Sequence, residues 1–273
     1  VSTGGSHGQD RYRIWYAPHP LPARAGIQRA GPTQTRGDDE RSTRAPGKAK
    51  PDVIIVFTSD HFVNFFYNHF PAFCVGVIDE AETTPDTGCN MPHYSLSGHR
   101  KMAAALHRAA LRSNFDLATA QEVKLEHTIM VPLHFITPDM NIPIIPIYNG
   151  CLAPPAPSAR RCYSLGRMIR RFVEDWDGDE RVALMASGSV SLEVGGPRDT
   201  TWFDEPWVET VKGLMSKGDY QGVARRATEQ KMLAAGNVAH ELLNWTTVFG
   251  ALDGALPDYL DSQRGSVFTA WDL

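Results

Sequence analysis

The clearest pattern in the chain is a set of short, continuous apolar runs separated by longer stretches of helical spacing. Asp52-Val-Ile-Ile-Val-Phe57 is rich in β-branched residues and has no polar alternation, which predicts a strand buried on both faces. Similar runs recur at Cys74–Ile78, Ile142–Tyr148 and Val182–Ala186. Between them, 99–111 places Met102, Leu106 and Ala109 on one helical face. Ser158 is positioned to cap a helix whose stripe is Cys162, Leu165, Ile169 and Phe172, and Asn237 to cap one carrying Val238, Glu241, Leu242, Trp245 and Val248. Strands alternating with helices predict an α/β fold, a single domain with a central, largely buried β-sheet flanked by helices. No repeat of fixed period is present.

Order is expected to begin at Pro51. Residues 11–50 hold nine Lys or Arg against three acids, and 17–50 contains five prolines with almost no apolar periodicity. Residues 1–50 therefore read as an irregular basic N-terminal segment, with room for a first strand, and 51–273 as the functional domain. The basic segment is read as a solvated linker, or as an arm for an acidic partner.

Over 273 residues the net charge is −4 and hydrophobic residues are 42%. That balance excludes a disordered chain and argues against nucleic acid as a partner. Four cysteines form no Cys-x-x-Cys pair, no apolar run is long enough to span a bilayer, and VSTGGSHGQD has no apolar leader core. A cytoplasmic protein with no membrane partner is the expectation. The Gly-rich phosphate-binding loops and the Gly-x-Ser-x-Gly elbow are absent.

The groups left to carry chemistry are histidines and one glutamate. His61 directly follows the strongest strand, at the rim where α/β sheets build their sites, and reads as a metal ligand or general base, or as a hydrogen-bonded strand-end residue. His127 lies in Lys124–Pro132, read as a break between apolar elements, and His7 in a Gly-rich context; each alone reads more readily as an ordinary loop residue. Glu241 falls on the apolar side of its helix, where a carboxylate is costly unless it is paired with a cation such as an arginine or a metal. His240 projects about 100° away and is not expected to share the site. Two histidines and a carboxylate converging at a strand rim would make a facial triad for Fe(II), with positions open for substrate and O₂.

Phe57-Thr-Ser-Asp-His-Phe-Val-Asn-Phe-Phe-Tyr67 with Phe70-Pro-Ala-Phe-Cys-Val-Gly-Val77 resembles the class III extradiol ring-cleavage dioxygenases, of the protocatechuate 4,5-dioxygenase and dihydroxyphenylpropionate dioxygenase type. His127–Leu133, Pro143–Pro155, Arg161–Arg171, Gly195–Arg198 and His240–Trp245 extend the resemblance over roughly 51–250. It implies a single α/β domain that opens catechol-type or 2-aminophenol-type rings with Fe(II) and O₂, commonly as a homo- or hetero-oligomer. It further implies His7, His61 and Glu241 as metal ligands, with His127 as a catalytic acid/base. Phe66 and Leu192 are the positions expected beside substrate, and Leu192 stands where the family carries a second acid/base histidine. Leucine moves no proton, so the alternative is a non-catalytic subunit or a metal- and aromatic-binding homologue beside an active chain.

Overall fold

The computed structural model describes residues 12–15, 50–84 and 91–273, the first of these as backbone only. The strands are β1 (Tyr12–Trp15), β2 (Val53–Thr58), β3 (Phe73–Gly76), β4 (Glu80–Glu82), β5 (Ser95–Ser97), β6 (Ala118–Ala120), β7 (Ile144–Asn149), β8 (Val182–Ala186), β9 (Tyr259–Gln263) and β10 (Ser266–Asp272). The helices are α1 (Arg100–Arg112), α2 (His127–Ile136), α3 (Ala159–Glu174), α4 (Glu205–Met215), α5 (Tyr220–Arg226), α6 (Glu229–Ala235) and α7 (Leu242–Leu252), the last entered through a 3₁₀ turn, Ala239–Glu241.

Eight strands form one sheet in the order β6-β3-β7-β2-β8-β1-β10-β9. Its centre, β7-β2-β8-β1, is parallel, so the carboxyl ends of these strands share one edge. The apolar runs are continuous because both faces are covered. Val53, Ile55 and Phe57 pack with α3 and α7, whereas Ile54 and Val56 pack with Ile129, Met130 and Leu133 of α2. This is an α/β fold of the expected kind.

Two helices meet unusually closely. Every residue of α7 is buried. A Cβ on Gly166 of α3 would overlap the Thr247 carbonyl oxygen, and one on Gly250 of α7 would overlap the Tyr163 carbonyl. Glycine at both positions lets the backbones touch.

Several local expectations change. Lys124–Pro132 is no break: α2 begins at His127, and Pro132 sits inside it. Asn237 does not cap the last helix. Its Oδ1 accepts from the Val194 N–H and its Nδ2 donates to the Val194 carbonyl, pinning the loop after β8. On α1 the buried position is Ala110 rather than Ala109. β1 lies in the N-terminal span expected to have room for a first strand, and it starts five residues after His7, which is outside the described residues.

Candidate metal and acid/base site

The carboxyl edge of the parallel strands carries the site. β2 ends at Thr58, and the chain turns through Ser59 and Asp60 to His61. Asp60 is buried, and its carboxylate accepts from the backbone N–H groups of Val63, Asn64 and Phe65 and from Asn64 Nδ2. Asn64 then exchanges two hydrogen bonds with the backbone of Lys124. The turn that presents His61 is thereby clamped to the segment that presents His127. Phe62 holds φ 60°, an uncommon conformation for a large side chain, and these bonds enforce it.

His61 lies between two carboxylates. Its Nδ1 is 3.0 Å from Glu126 Oε2 and 3.1 Å from Oε1, and its backbone N–H donates to Glu126 Oε1 at 2.8 Å. Its Nε2 is 3.2 Å from Glu241 Oε1. Burial works to lower the His61 pKa and is the largest single influence. The hydrogen bonds to Glu126 and then Glu241, together with their charges, outweigh it and push the pKa up to about 10.

The His127 ring stacks on that of His61 with centroids 4.8 Å apart, and its Nδ1 is 3.7 Å from Glu126 Oε2. Glu126 is thus the hub. It occupies the N-cap position of α2 yet makes no side-chain cap, because its carboxylate is turned onto the imidazoles. Asp60 and Glu126 pair with no lysine or arginine among the described residues. Glu126 is met instead by the His61 imidazole, and Asp60 by backbone and amide donors.

Glu241 is positioned by the loop after β8. Ser189 N–H donates to Glu241 Oε2 at 2.8 Å, which turns Oε1 to His61. Gly188, at φ 135°, passes so close that a Cβ there would lie 2.5 Å from that of Glu241. Trp245 Nε1 holds the Gly188 carbonyl at 2.9 Å. One turn along the same helix, Asn244 Nδ2 donates to Ser59 Oγ and to the Ser187 carbonyl, while its Oδ1 accepts from Asn149 Nδ2. A single asparagine thus ties together the ends of β2, β8 and β7.

His61 and Glu241 each commit one atom to a protein partner and aim the other at a common point. Two bonds of about 2.1 Å at a right angle put their donors about 3 Å apart, so the 3.2 Å gap fits two adjacent ligands of one divalent ion. A second grouping, His61, Glu126 and His127, has ligand atoms within 4.8 Å of one another. A metal held there through His61 Nδ1 would displace its bonds to Glu126. Placing the ion at Nε2 keeps them as support behind the ligand.

The structure brings together His61, His127 and Glu241 of the expected residues. Leu192 is buried and belongs to neither packed core cluster. Its neighbour Glu193 points elsewhere, onto Arg198 Nη1 at 3.1 Å and the Asn237 N–H. Phe66 is 54% exposed and Tyr67 78%, so this aromatic run does not close over His61 as a buried pocket. His240 lies apart from the site, and burial draws its pKa below the usual imidazole value. Sequence reasoning missed Glu126, Asp60 and Asn244. Only Asn244, within Leu242-Leu-Asn-Trp245, carried a signal of the kind noted for Glu241; Asp60 and Glu126 stand among polar neighbours.

A family model described as the catalytic LigB subunit of aromatic ring-opening dioxygenase matches residues 27–268. A 2,3-dihydroxyphenylpropionate/2,3-dihydroxicinnamic acid 1,2-dioxygenase 2 of Pseudomonas putida is 33% identical over 153 residues, covering 55% of this chain and 47% of its own. The enzyme of that kind from Photorhabdus laumondii is 34% identical over 187 residues, covering 68% and 56%. The chain therefore spans about half the length of these two relatives. A solved structure of an uncharacterized Escherichia coli K12 protein superposes with a TM-score of 0.57 at 17% identity, covering 94% of this chain and 97% of the other, which supports the fold alone. No helix among the described residues is long and apolar enough to cross a membrane. The family match takes in most of the sequence: this chain belongs to the family of catalytic LigB subunits of aromatic ring-opening dioxygenases.

Proposed function

We propose that this protein cleaves a catechol-type or 2-aminophenol-type ring in the extradiol position, using Fe(II) and O₂, with His61 and Glu241 as two of the metal ligands. The observation that carries the reading is the His61 imidazole held by Glu126 on one nitrogen and facing Glu241 with the other. Fe(II) bound there would orient the ring oxygens and O₂ and stabilise developing negative charge.

The chain's own residues do the rest. Glu126 fixes the orientation of His61 and raises its basicity as a ligand. The Ser189 N–H holds Glu241 in place. His127, stacked on His61, would take a proton from a ring hydroxyl and return it later. Phe66 and Leu192 would contact the ring, Leu192 by apolar contact alone. A third metal ligand is expected from outside the described residues, where His7 and His19 stand in the sequence.

The test is an anaerobic preparation loaded with Fe(II), then offered catechol or 2-aminophenol under O₂. A yellow ring-opened product with matching O₂ uptake, abolished in Glu241→Ala, supports the proposal. Bound iron without O₂ uptake contradicts it and favours the second reading, a metal- and aromatic-binding chain that partners an active homologue in an oligomer. The observation behind that reading is Leu192, which has no proton to exchange, with Glu193 turned away to Arg198.

A further inference from the structure

The chain is acidic overall, at net charge −4, yet one of its surfaces is strongly basic. Four of the thirteen residues of α1 and five of the sixteen of α3 are Lys or Arg, and Glu174 is the only acid in either helix. The two helices share one core cluster and run antiparallel, side by side. Contacts at both ends fix this. The Lys101 ammonium at the start of α1 lies 5.7 Å from the Trp176 ring just past α3. Arg161 at the start of α3 lies 4.0 Å from the Phe115 ring and donates to the Asn114 carbonyl, both just past α1. Helical spacing then sorts the cations into two solvent-facing stripes, Lys101, Arg108 and Arg112 on α1 and Arg160, Arg167 and Arg171 on α3. All six are exposed, and none forms an ion pair among the described residues.

Such a surface is costly on its own. Like charges at helical spacing repel. Lys101 and Arg160 also stand in first turns, where the helix dipole disfavours a cation and neither helix supplies an acid. We propose that the paired stripes are a docking surface for an acidic segment of a partner protein. Each stripe runs about 16 Å along its helix, and the axes of packed helices lie about 8–10 Å apart. That footprint matches one segment laid along the seam, with carboxylates reaching both stripes. Five of the six cations are arginine, whose planar fork pairs with a carboxylate through two hydrogen bonds. A long nucleic acid or an anionic bilayer would extend past the stripes onto an otherwise acidic chain, whose charge would oppose it. Leu111 is the one large apolar side chain exposed on these helices, so the surface has little to insert into lipid. The inference does not depend on the dioxygenase reading.

The probe is a fluorescein-labelled dodecaglutamate peptide, titrated with the intact chain at low salt and followed by fluorescence anisotropy, with dodecaglutamine for comparison. Dodecaglutamate should bind and dodecaglutamine should not. Raising the salt to about 0.5 M should release the bound peptide, because screening removes attraction between exposed charges. Arg167→Glu should weaken binding by about fivefold or more. Arg264→Glu makes the same change in net charge at the β9–β10 turn and should leave binding within about twofold. Both arginines are exposed, so neither change disturbs the core. Absence of binding at low salt would overturn the proposal, as would binding no weaker in Arg167→Glu than in Arg264→Glu. Tighter binding of a single-stranded DNA of the same length, or of phosphatidylserine vesicles, would also overturn it and make phosphate groups the ligand.

Discussion

A buried acid works by what surrounds it, and Glu126 illustrates this. It sits at a helix start, where a carboxylate normally caps, and instead braces two imidazoles. Glu126→Gln keeps the shape and removes the charge. Iron per chain, titrated against a competing chelator, should then show an affinity loss of about 10- to 100-fold. Unchanged affinity would mean Glu126 is a packing residue. Leu192 gives the complementary prediction. A positioned acid/base group contributes about 10²- to 10⁴-fold in rate, so Leu192→His should raise turnover markedly in single-turnover assays. A variant that binds iron normally and is no faster would refute the role assigned to that position.

At the scale of elements, α3 and α7 set the position of Glu241, because α7 continues directly from its turn. Gly250→Ala forces a methyl into the Tyr163 carbonyl, and overpacking of this kind costs about 1–3 kcal/mol. Thermal unfolding should shift down by several degrees; an unchanged midpoint would mean the helices part freely. The same elements show what was legible in the sequence. β2, β7 and β8 were readable because burial on both faces leaves an unbroken apolar run. α3 was readable from Ser158 and its stripe. The start of α2 was not, since Pro132 and mixed polarity imitate a break. Nor was the β9–β10 hairpin read, although its strands alternate in exposure around a turn in which Arg264 and Gly265 both take positive φ. His61 and Glu241 were legible from position alone, whereas Glu126 and Asn244 gain meaning only from partners more than 60 residues away, and Asp60 from the turn it builds around itself.

For the whole molecule, topology constrains the third ligand. β1 runs parallel to β8, so its carboxyl end, at Trp15, shares an edge with His61. The first imidazole after that end in the sequence is His19, whereas His7 precedes the strand. His19→Ala should therefore lower iron occupancy more than His7→Ala; the reverse order would support His7, the ligand that the family resemblance implies. The parallel centre also explains why one edge gathers everything: β2 delivers His61, the loop after β8 holds Glu241, and Asn244 locks three strand ends beneath them. The central claim is that one ferrous ion sits between His61 Nε2 and Glu241 Oε1. Anomalous diffraction at the iron edge, on crystals loaded anaerobically, tests it most directly. The account predicts one peak about 2.1 Å from both atoms; a peak within the His61–Glu126–His127 group, or none at this edge, would contradict it.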